Sequence, residues 1–316
     1  MKRVLVAGSS GFIGSNLVAK LQKEGCFVIG MDIEEPKYHR PDVFYKIDLR
    51  IDWRDFYIDE VYDGVDEAYC LACMMGGMGF IGNEKEHGYD IGIGSTQIVT
   101  NFIDLCKALS VKKVFYSSSA CVYNQLLQTS SDVVSLKEAD AIPAFPDLLY
   151  GWQKLYAEFM FMASGLNVRI ARFHNIFGKW GTYDGGKEKA PAAMCRKVAM
   201  ANDGDEIEVW GDGTQTRSFL HIDECLEGVE RLMESDYDKP LNIGSDELIS
   251  INNLAQMVFY LSGKKLKIKN IDGIVGVQGR NSDNTLCEQV LGWKPILPLL
   301  FGMEQLYDWV NEQINK

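Results

Sequence analysis

Tyr150 and Lys154 stand four residues apart in the run LLYGWQKLYAEF. The apolar spacing of that run predicts a helix, and positions i and i+4 of a helix leave the same face. A phenol beside an ammonium can serve as a base. Free tyrosine titrates near about 10, and a neighbouring cation favours the phenolate, which brings proton abstraction from an alcohol within reach of neutral pH. The spacing alone is common, and its ordinary reading is a packed tyrosine and a solvated lysine. The catalytic reading requires the rest of the chain to supply a matched site.

The first element that could position such a pair opens the chain, MKRVLVAGSSGFIGSNLVAKL. Val4 to Ala7 suits a buried strand, and Gly8, Gly11 and Gly14 punctuate the opening of an amphipathic helix. The first glycine permits a tight turn, the second lets backbone approach a pyrophosphate, and the third lets helix and strand pack closely. Phe12 and Ile13 fall in the first turn of that helix, whose N-terminus faces the anion. Phe27 to Met31 reads as a second strand ending at Asp32, where a carboxylate can accept from ribose hydroxyls. A 2′-phosphate there would meet like charge, so the pattern favours NAD over NADP. Asp48, after a third apolar stretch, is a candidate for the adenine side and reads equally well as an ordinary loop carboxylate.

Length and charge narrow the class. The chain has 316 residues and a formal net charge of -12, which suits a soluble enzyme with a sizeable core and argues against nucleic acid or an anionic membrane as a partner. No apolar run reaches the roughly 18 residues of a membrane span. The opening Met-Lys-Arg faintly resembles a signal peptide, but the apolar run behind it is short and ends in the glycine loop, so a cytoplasmic location is expected. Eight cysteines are scattered singly except Cys70 and Cys73. That pair reads as small buried residues, because no second Cys/His cluster accompanies it for redox or zinc chemistry. His39, His87, His174 and His221 have no metal-ligand spacing, and no metal is expected.

Strand patterns at Val4 to Ala7, Phe27 to Met31, Val43 to Ile47, Glu67 to Ala72, Val114 to Ser118 and Val168 to Phe173 alternate with helical stretches. They predict an α/β fold, a doubly wound parallel sheet of Rossmann type, with residues 1–173 as the NAD-binding domain. Parts of 216–245 are expected to join it. Residues 174–316, with glycine-rich loops and a helix opening near Pro191, are expected to form a smaller lobe that closes over a ligand. In open α/β sheets ligands bind beyond the carboxyl ends of strands, which draws attention to SSSACVY after VKKVFY. Ser119 could there hydrogen-bond the same hydroxyl as Tyr150, or simply form a turn. Cys121 reads as a small core residue, or as a reagent where a cation lowers its pKa.

Taken together, GSSGFIG, YGWQK and SSSACVY resemble the extended short-chain dehydrogenase/reductases, which include nucleotide-sugar epimerases and dehydratases. MGGMGFI at Met75 to Ile81, RFHNIFG at Arg172 to Gly178, GGKEKAPAAMCRK, WGDGTQTRSFLHIDE and GRNSDN narrow the resemblance, almost end to end, to the GDP-mannose 3,5-epimerases. The resemblance implies that Tyr150 and Lys154, with Ser119, remove the hydroxyl proton from carbon 4 of a GDP-sugar while hydride passes to a tightly bound, recycled NAD. A ketone at carbon 4 acidifies the hydrogens on carbons 3 and 5, because the carbanion is delocalised as an enolate. Cys121 then matches the family's base and Lys189 its acid, on opposite faces of the sugar. Taken alone, Lys189 reads as a solvated loop lysine. The related 4,6-dehydratases carry a glutamate where Cys121 stands, so dehydration is disfavoured.

Asn175, Glu188, Lys197, Gln215, Arg217 and Arg280 match positions the family uses around the diphosphate and sugar, a natural use of guanidinium and ammonium groups. Gly76 and Gly77 match a loop that approaches the sugar closely. The resemblance also implies a homodimer through helices that include the one bearing Tyr150. Two departures stand out. Where the family reads Ala-Asp-Met-Gly-Gly this chain has Cys73, Met74, Met75, Gly76 and Gly77, and the family's paired asparagines are Gly94 and Ser95. These bear on which hexose or heptose is accepted and whether one or both carbons are inverted. Two alternatives follow: a GDP-hexose or GDP-heptose 4-oxidase or single-carbon epimerase, and a non-catalytic NAD-binding regulator. Retention of Tyr150, Lys154, Cys121 and Lys189 together argues against the second.

Overall fold

Strands rich in Val, Ile, Phe and Ala form the centre of the molecule because both faces of their sheet are covered. The computed structural model describes residues 1–132 and 135–316. Its main sheet has seven strands: β1 (Arg3–Ala7), β2 (Phe27–Asp32), β3 (Val43–Lys46), β4 (Glu67–Cys70), β5 (Lys113–Ser119), β6 (Val168–Phe173) and β7 (Pro240–Ile243). They lie in the order β7-β6-β5-β4-β1-β2-β3, and every pair is parallel. Six stand where alternation predicts them, with ends shifted by one or two residues. The seventh was not singled out as a strand. It is short, begins on a proline, and sits at the sheet edge, where the missing N–H of Pro240 costs no ladder bond.

The long helices are α1 (Phe12–Lys23), α2 (Ser95–Ala108), α3 (Leu149–Ala163), α4 (Ala190–Met200), α5 (Ile222–Glu234), α6 (Ile251–Ser262) and α7 (Leu299–Ile314). Leu17, Val18 and Leu21 of α1 and Leu226 and Val229 of α5 bury one face of the sheet, and Val99, Phe102, Ala157 and Phe161 of α2 and α3 bury the other. The later part of the chain packs α4, α6 and α7 around Met194, Val198, Leu254, Val258, Met303 and Val310. It also holds the strand pair Glu206–Trp210 with Lys267–Ile271 and a small sheet of Leu248–Ser250, Thr216–Ser218 and Gly279–Arg280. Among the described residues no helix is long and apolar enough to cross a membrane.

Strand order reverses between β1 and β4, the point beyond whose carboxyl ends open α/β sheets form their ligand crevice. Gly8 leaves β1 with φ of +85°, and a β-carbon there would stand 2.7 Å from the Ala72 amide that follows β4. Only glycine lets these two loops meet.

A buried ion pair sets α3 against the sheet. Arg172 Nη2 of β6 meets Glu158 Oε2 of α3 at 2.7 Å, with side chains 6% and 1% exposed, and Ser118 Oγ of β5 donates to the same carboxylate. Removing one partner leaves an uncompensated buried charge. Glu158→Ala is therefore expected to cost about 3–5 kcal/mol in urea unfolding. A loss below about 1 kcal/mol would mean that the pair does not fix α3.

Candidate active site

Every strand end that the crevice needs carries a candidate. Lys154, 2% exposed, lies on the sheet-facing side of α3, and its Nζ donates to the Ser117 carbonyl at 2.7 Å. It stands 4.9 Å from the Tyr116 ring centroid and 5.8 Å from that of Tyr150. Burial pushes the Tyr150 phenol well above its usual range; Cys73 and Cys121 add to this, and hydrogen bonding to Ser119 pulls the other way. A neighbouring ammonium is expected to favour the phenolate, and burial outweighs it. Desolvation dominates, and the ammonium is committed to a carbonyl of β5.

Ser119 ends β5, caps the short turn Ala120–Val122, and accepts from the Cys121 amide through its Oγ at 3.2 Å. This turn leaves Cys121 buried at the mouth of the crevice. Arg280 Nη1 donates to Cys121 Sγ at 3.1 Å, Nη2 donates to Asp147 Oδ2 at 2.8 Å, and Nε donates to Gln128 Oε1. Burial alone would lower the Arg280 guanidinium, but Cys121 and Asp147 hold it above its ordinary value. The resemblance matched Arg280 to positions around the diphosphate and sugar, and the fold sets its guanidinium against the Cys121 thiol. Gly151 brings the two halves of the site together. A β-carbon on it would stand 2.2 Å from the Cys121 carbonyl oxygen, so this glycine lets α3, with Tyr150, lie directly on the cysteine turn.

Lys189 is the residue before α4, with Pro191 in the helix's first turn. Burial lowers its ammonium, and Cys121 offsets part of that effect. Glu188 holds the loop by accepting from the Gly186 amide at 2.7 Å and from Arg196 Nη2 at 3.1 Å. Gly77 donates to the Lys187 carbonyl at 3.0 Å, and a β-carbon there would stand 2.2 Å from the Glu188 oxygen. Gly76 likewise faces Phe80 and Lys187. Both glycines serve a loop-to-loop contact within the protein, in the loop that the resemblance matches to one approaching the sugar.

Arg217 donates to the carbonyls of Thr216, Val275 and Val277. Burial and the facing Arg280 pull it down to about 10. Among the described residues no carboxylate forms an ion pair with Arg217, Lys189 or Lys197, whereas Arg280 has Asp147. Lys197 Nζ donates to the Glu208 carbonyl, and buried Gln215 donates to the Trp210 carbonyl on the same strand. Asn175, with φ of +46°, follows β6 and donates to the Ser218 carbonyl. A cation without a carboxylate suits a diphosphate. Arg217→Ala is expected to raise KM for a nucleotide sugar roughly 10- to 100-fold with a smaller change in kcat. Steady-state kinetics with unchanged KM would remove Arg217 from the binding set.

At the other end of the crevice the chain fits a dinucleotide. Gly11 begins α1 with no side-chain cap, so the first N–H groups of the helix, at Phe12 and Ile13, are presented to an anion. A β-carbon on Gly14 would stand 1.9 Å from the Gly8 oxygen, the close packing that its spacing predicts. Asp32 accepts from the Ser10 amide at 2.9 Å and the Glu34 amide at 3.0 Å, which leaves each oxygen further capacity; burial raises its pKa against those amides. Asp48 is engaged by Arg50, whose guanidinium and amide lower it, and Arg50 also reaches Asp90.

The two departures meet in space. Met74 N donates to Ser95 Oγ at 3.1 Å, and a β-carbon on Gly94 would lie 3.9 Å from Met74 Cγ. Gly94 closes a π-helical turn, Asp90–Gly94, that leads into α2. All eight cysteines are free, burial pushes Cys70 up to about 12, and no cluster among the described residues could hold a metal ion.

Sequence reading missed Gly151, Asp147 and Gln128. A glycine inside a predicted helix is unfavourable unless something packs on it, and that signal was present at Gly151. Gln128 gave none, since its partner lies 152 residues away.

A parallel sheet with a glycine-bounded crevice, an acidic β2 end and a Tyr/Lys pair at the β5 end define a dinucleotide-dependent enzyme acting on an alcohol carbon. The chain belongs to the NAD dependent epimerase/dehydratase family, whose model matches residues 4–244, and its cofactor is NAD. It is 44% identical over 322 residues to GDP-mannose 3,5-epimerase of Arabidopsis thaliana and to GDP-mannose 3,5-epimerase 1 of Oryza sativa subsp. japonica, across 99% of this chain and 83% of each relative. Among solved structures, the UDP-glucose 4-epimerase of Thermotoga maritima with UDP-glucose matches with a TM-score of 0.81 at 22% identity, covering 99% of both chains. MoeE5 in complex with UDP-glucose and NAD matches with the same score at 23% identity, covering 99% of both chains. These two share the fold.

Proposed function

We propose that the chain is an NAD-dependent isomerase that inverts carbons 3 and 5 of GDP-mannose or a close relative, giving a GDP-L-galactose or GDP-L-gulose type of product. The observation that carries this reading is a buried thiol, Cys121, that accepts from Arg280 Nη1 and packs in one cluster with Tyr150, with Lys189 within electrostatic reach. When bound, NAD supplies a reversible hydride acceptor and a positive ring charge. Tyr150 takes the proton of the carbon 4 hydroxyl, Ser119 orients that hydroxyl, and Lys154 fixes the local geometry from its carbonyl anchor. Cys121 takes the proton acidified by the carbon 4 ketone, and Lys189 returns one to the opposite face. Arg217, Lys197, Gln215 and Asn175 hold the diphosphate end.

Incubation with GDP-mannose in deuterated water is expected to place deuterium at carbons 3 and 5, read by NMR. Incorporation at neither carbon would end the reading. Incorporation at one carbon would favour the second reading, a single-carbon epimerase, which rests on Met74 meeting Gly94 and Ser95 beside the crevice.

The resting assembly is a homodimer in this reading. Trp152, Tyr156, Phe159 and Met162 leave α3 on one exposed apolar stripe, and a second copy of the same helix would cover it. Light scattering at the monomer mass would remove this part. A cytoplasmic site of action completes the proposal, and fractionation checks it.

A further inference from the structure

Arg280 is held at three points. Nη1 donates to Cys121 Sγ at 3.1 Å, Nη2 to Asp147 Oδ2 at 2.8 Å, and Nε to buried Gln128, whose own amide donates to the Tyr123 and Asn124 carbonyls. The Arg280 and Asp147 side chains are 6% and 7% exposed. The Gln128 carbonyl also accepts from the Gly279 amide, which fixes the strand that bears Arg280. Asp147 lies three residues before Tyr150 in the segment that leads into α3.

A guanidinium has a rigid fork, so two anchored nitrogens dictate where the third points. We infer that Asp147 and Gln128 are positioning residues, which aim the Arg280 guanidinium at the Cys121 sulfur and so keep this thiol competent for proton exchange. The inference deepens the proposed function and rests on it for the identity of the exchanged protons. Arg280 accordingly works on the thiol, and the diphosphate falls to the cations without carboxylates.

The charged and titratable groups facing Cys121 are Arg280 and Arg217 from the small sheet, Lys189 before α4, Tyr150 on α3, and Asp147 through Arg280. Two opposing effects therefore separate in the test. As an anchor, Asp147 brings positive charge to the sulfur; as a mere counter-charge, it would weaken that charge. In the holoenzyme, site-resolved alkylation of Cys121 by iodoacetamide is followed against pH, beside deuterium exchange and reduced-nicotinamide formation from GDP-mannose.

Asp147→Ala is expected to move the alkylation profile about one pH unit alkaline and to slow exchange roughly 10- to 100-fold, while reduced-nicotinamide formation changes less than about threefold. Asp147→Asn keeps an oxygen acceptor and is expected to recover most of the exchange. Gln128→Ala repeats the test should Asp147→Ala not fold. An unchanged or acid-shifted profile in the alanine variants would overturn the inference. If the wild-type protein exchanges neither carbon, the proposed function fails, and the alkylation profile still decides the role of Asp147.

Discussion

Replacing Cys121 with alanine is expected to lower deuterium incorporation from GDP-mannose by about 10²- to 10⁴-fold while reduced nicotinamide still forms. The two signals part because two sets of groups carry them. In the proposed mechanism oxidation at carbon 4 uses the phenol, the serine and the lysine anchored on Ser117, and none of these hydrogen-bonds the sulfur. Exchange needs a base, and Cys121 is the group at the end of β5 whose bonding partner is a cation. The substitution removes one sulfur from a small cluster with Phe80, Ile91 and Tyr150, so packing should change little. Loss of both signals together would show that Cys121 serves the redox step as well.

The second large effect belongs to Tyr150→Phe. Turnover is expected to fall by about 10²- to 10⁴-fold, and exchange and reduced-nicotinamide formation should fall in parallel, since no ketone means no acidified hydrogen. Burial pushes the phenol well above its ordinary range. In this mechanism bound NAD would supply a positive ring charge that favours the phenolate, while Tyr150 itself holds the proton-accepting oxygen. Phenylalanine preserves the ring that packs in the same cluster, which confines the loss to the hydroxyl. Persistent exchange in this variant would mean that another group takes the hydroxyl proton.

The sequence exposed the parts of the fold that repeat. Six strands announced themselves because a sheet covered on both faces demands continuous apolar runs, and Gly8 and Gly14 did so because close backbone approach tolerates nothing larger. The strand Pro240–Ile243 stayed hidden, since a short edge element opening on proline carries almost no pattern. At the site, Tyr150, Lys154, Ser119 and Cys121 were legible because they lie near one another along the chain or at the end of one strand. Arg280 was found as a cation, but its partners were not legible, because Gln128, Asp147 and Cys121 are brought to it by the fold from 133 to 159 residues away. The desolvation that raises Tyr150 was likewise invisible, as burial belongs to the assembled core.

The backbone clip between Gly77 and the Lys187–Glu188 segment has a practical corollary for anyone wishing to recruit a different sugar. The loop after β4 and the loop bearing Lys189 form one cassette. A graft that exchanges either loop alone would set a foreign side chain against the Glu188 carbonyl or leave the Gly77 amide without its acceptor. Libraries that vary the two segments together, with their glycines retained, are the ones that should yield folded enzymes of altered preference.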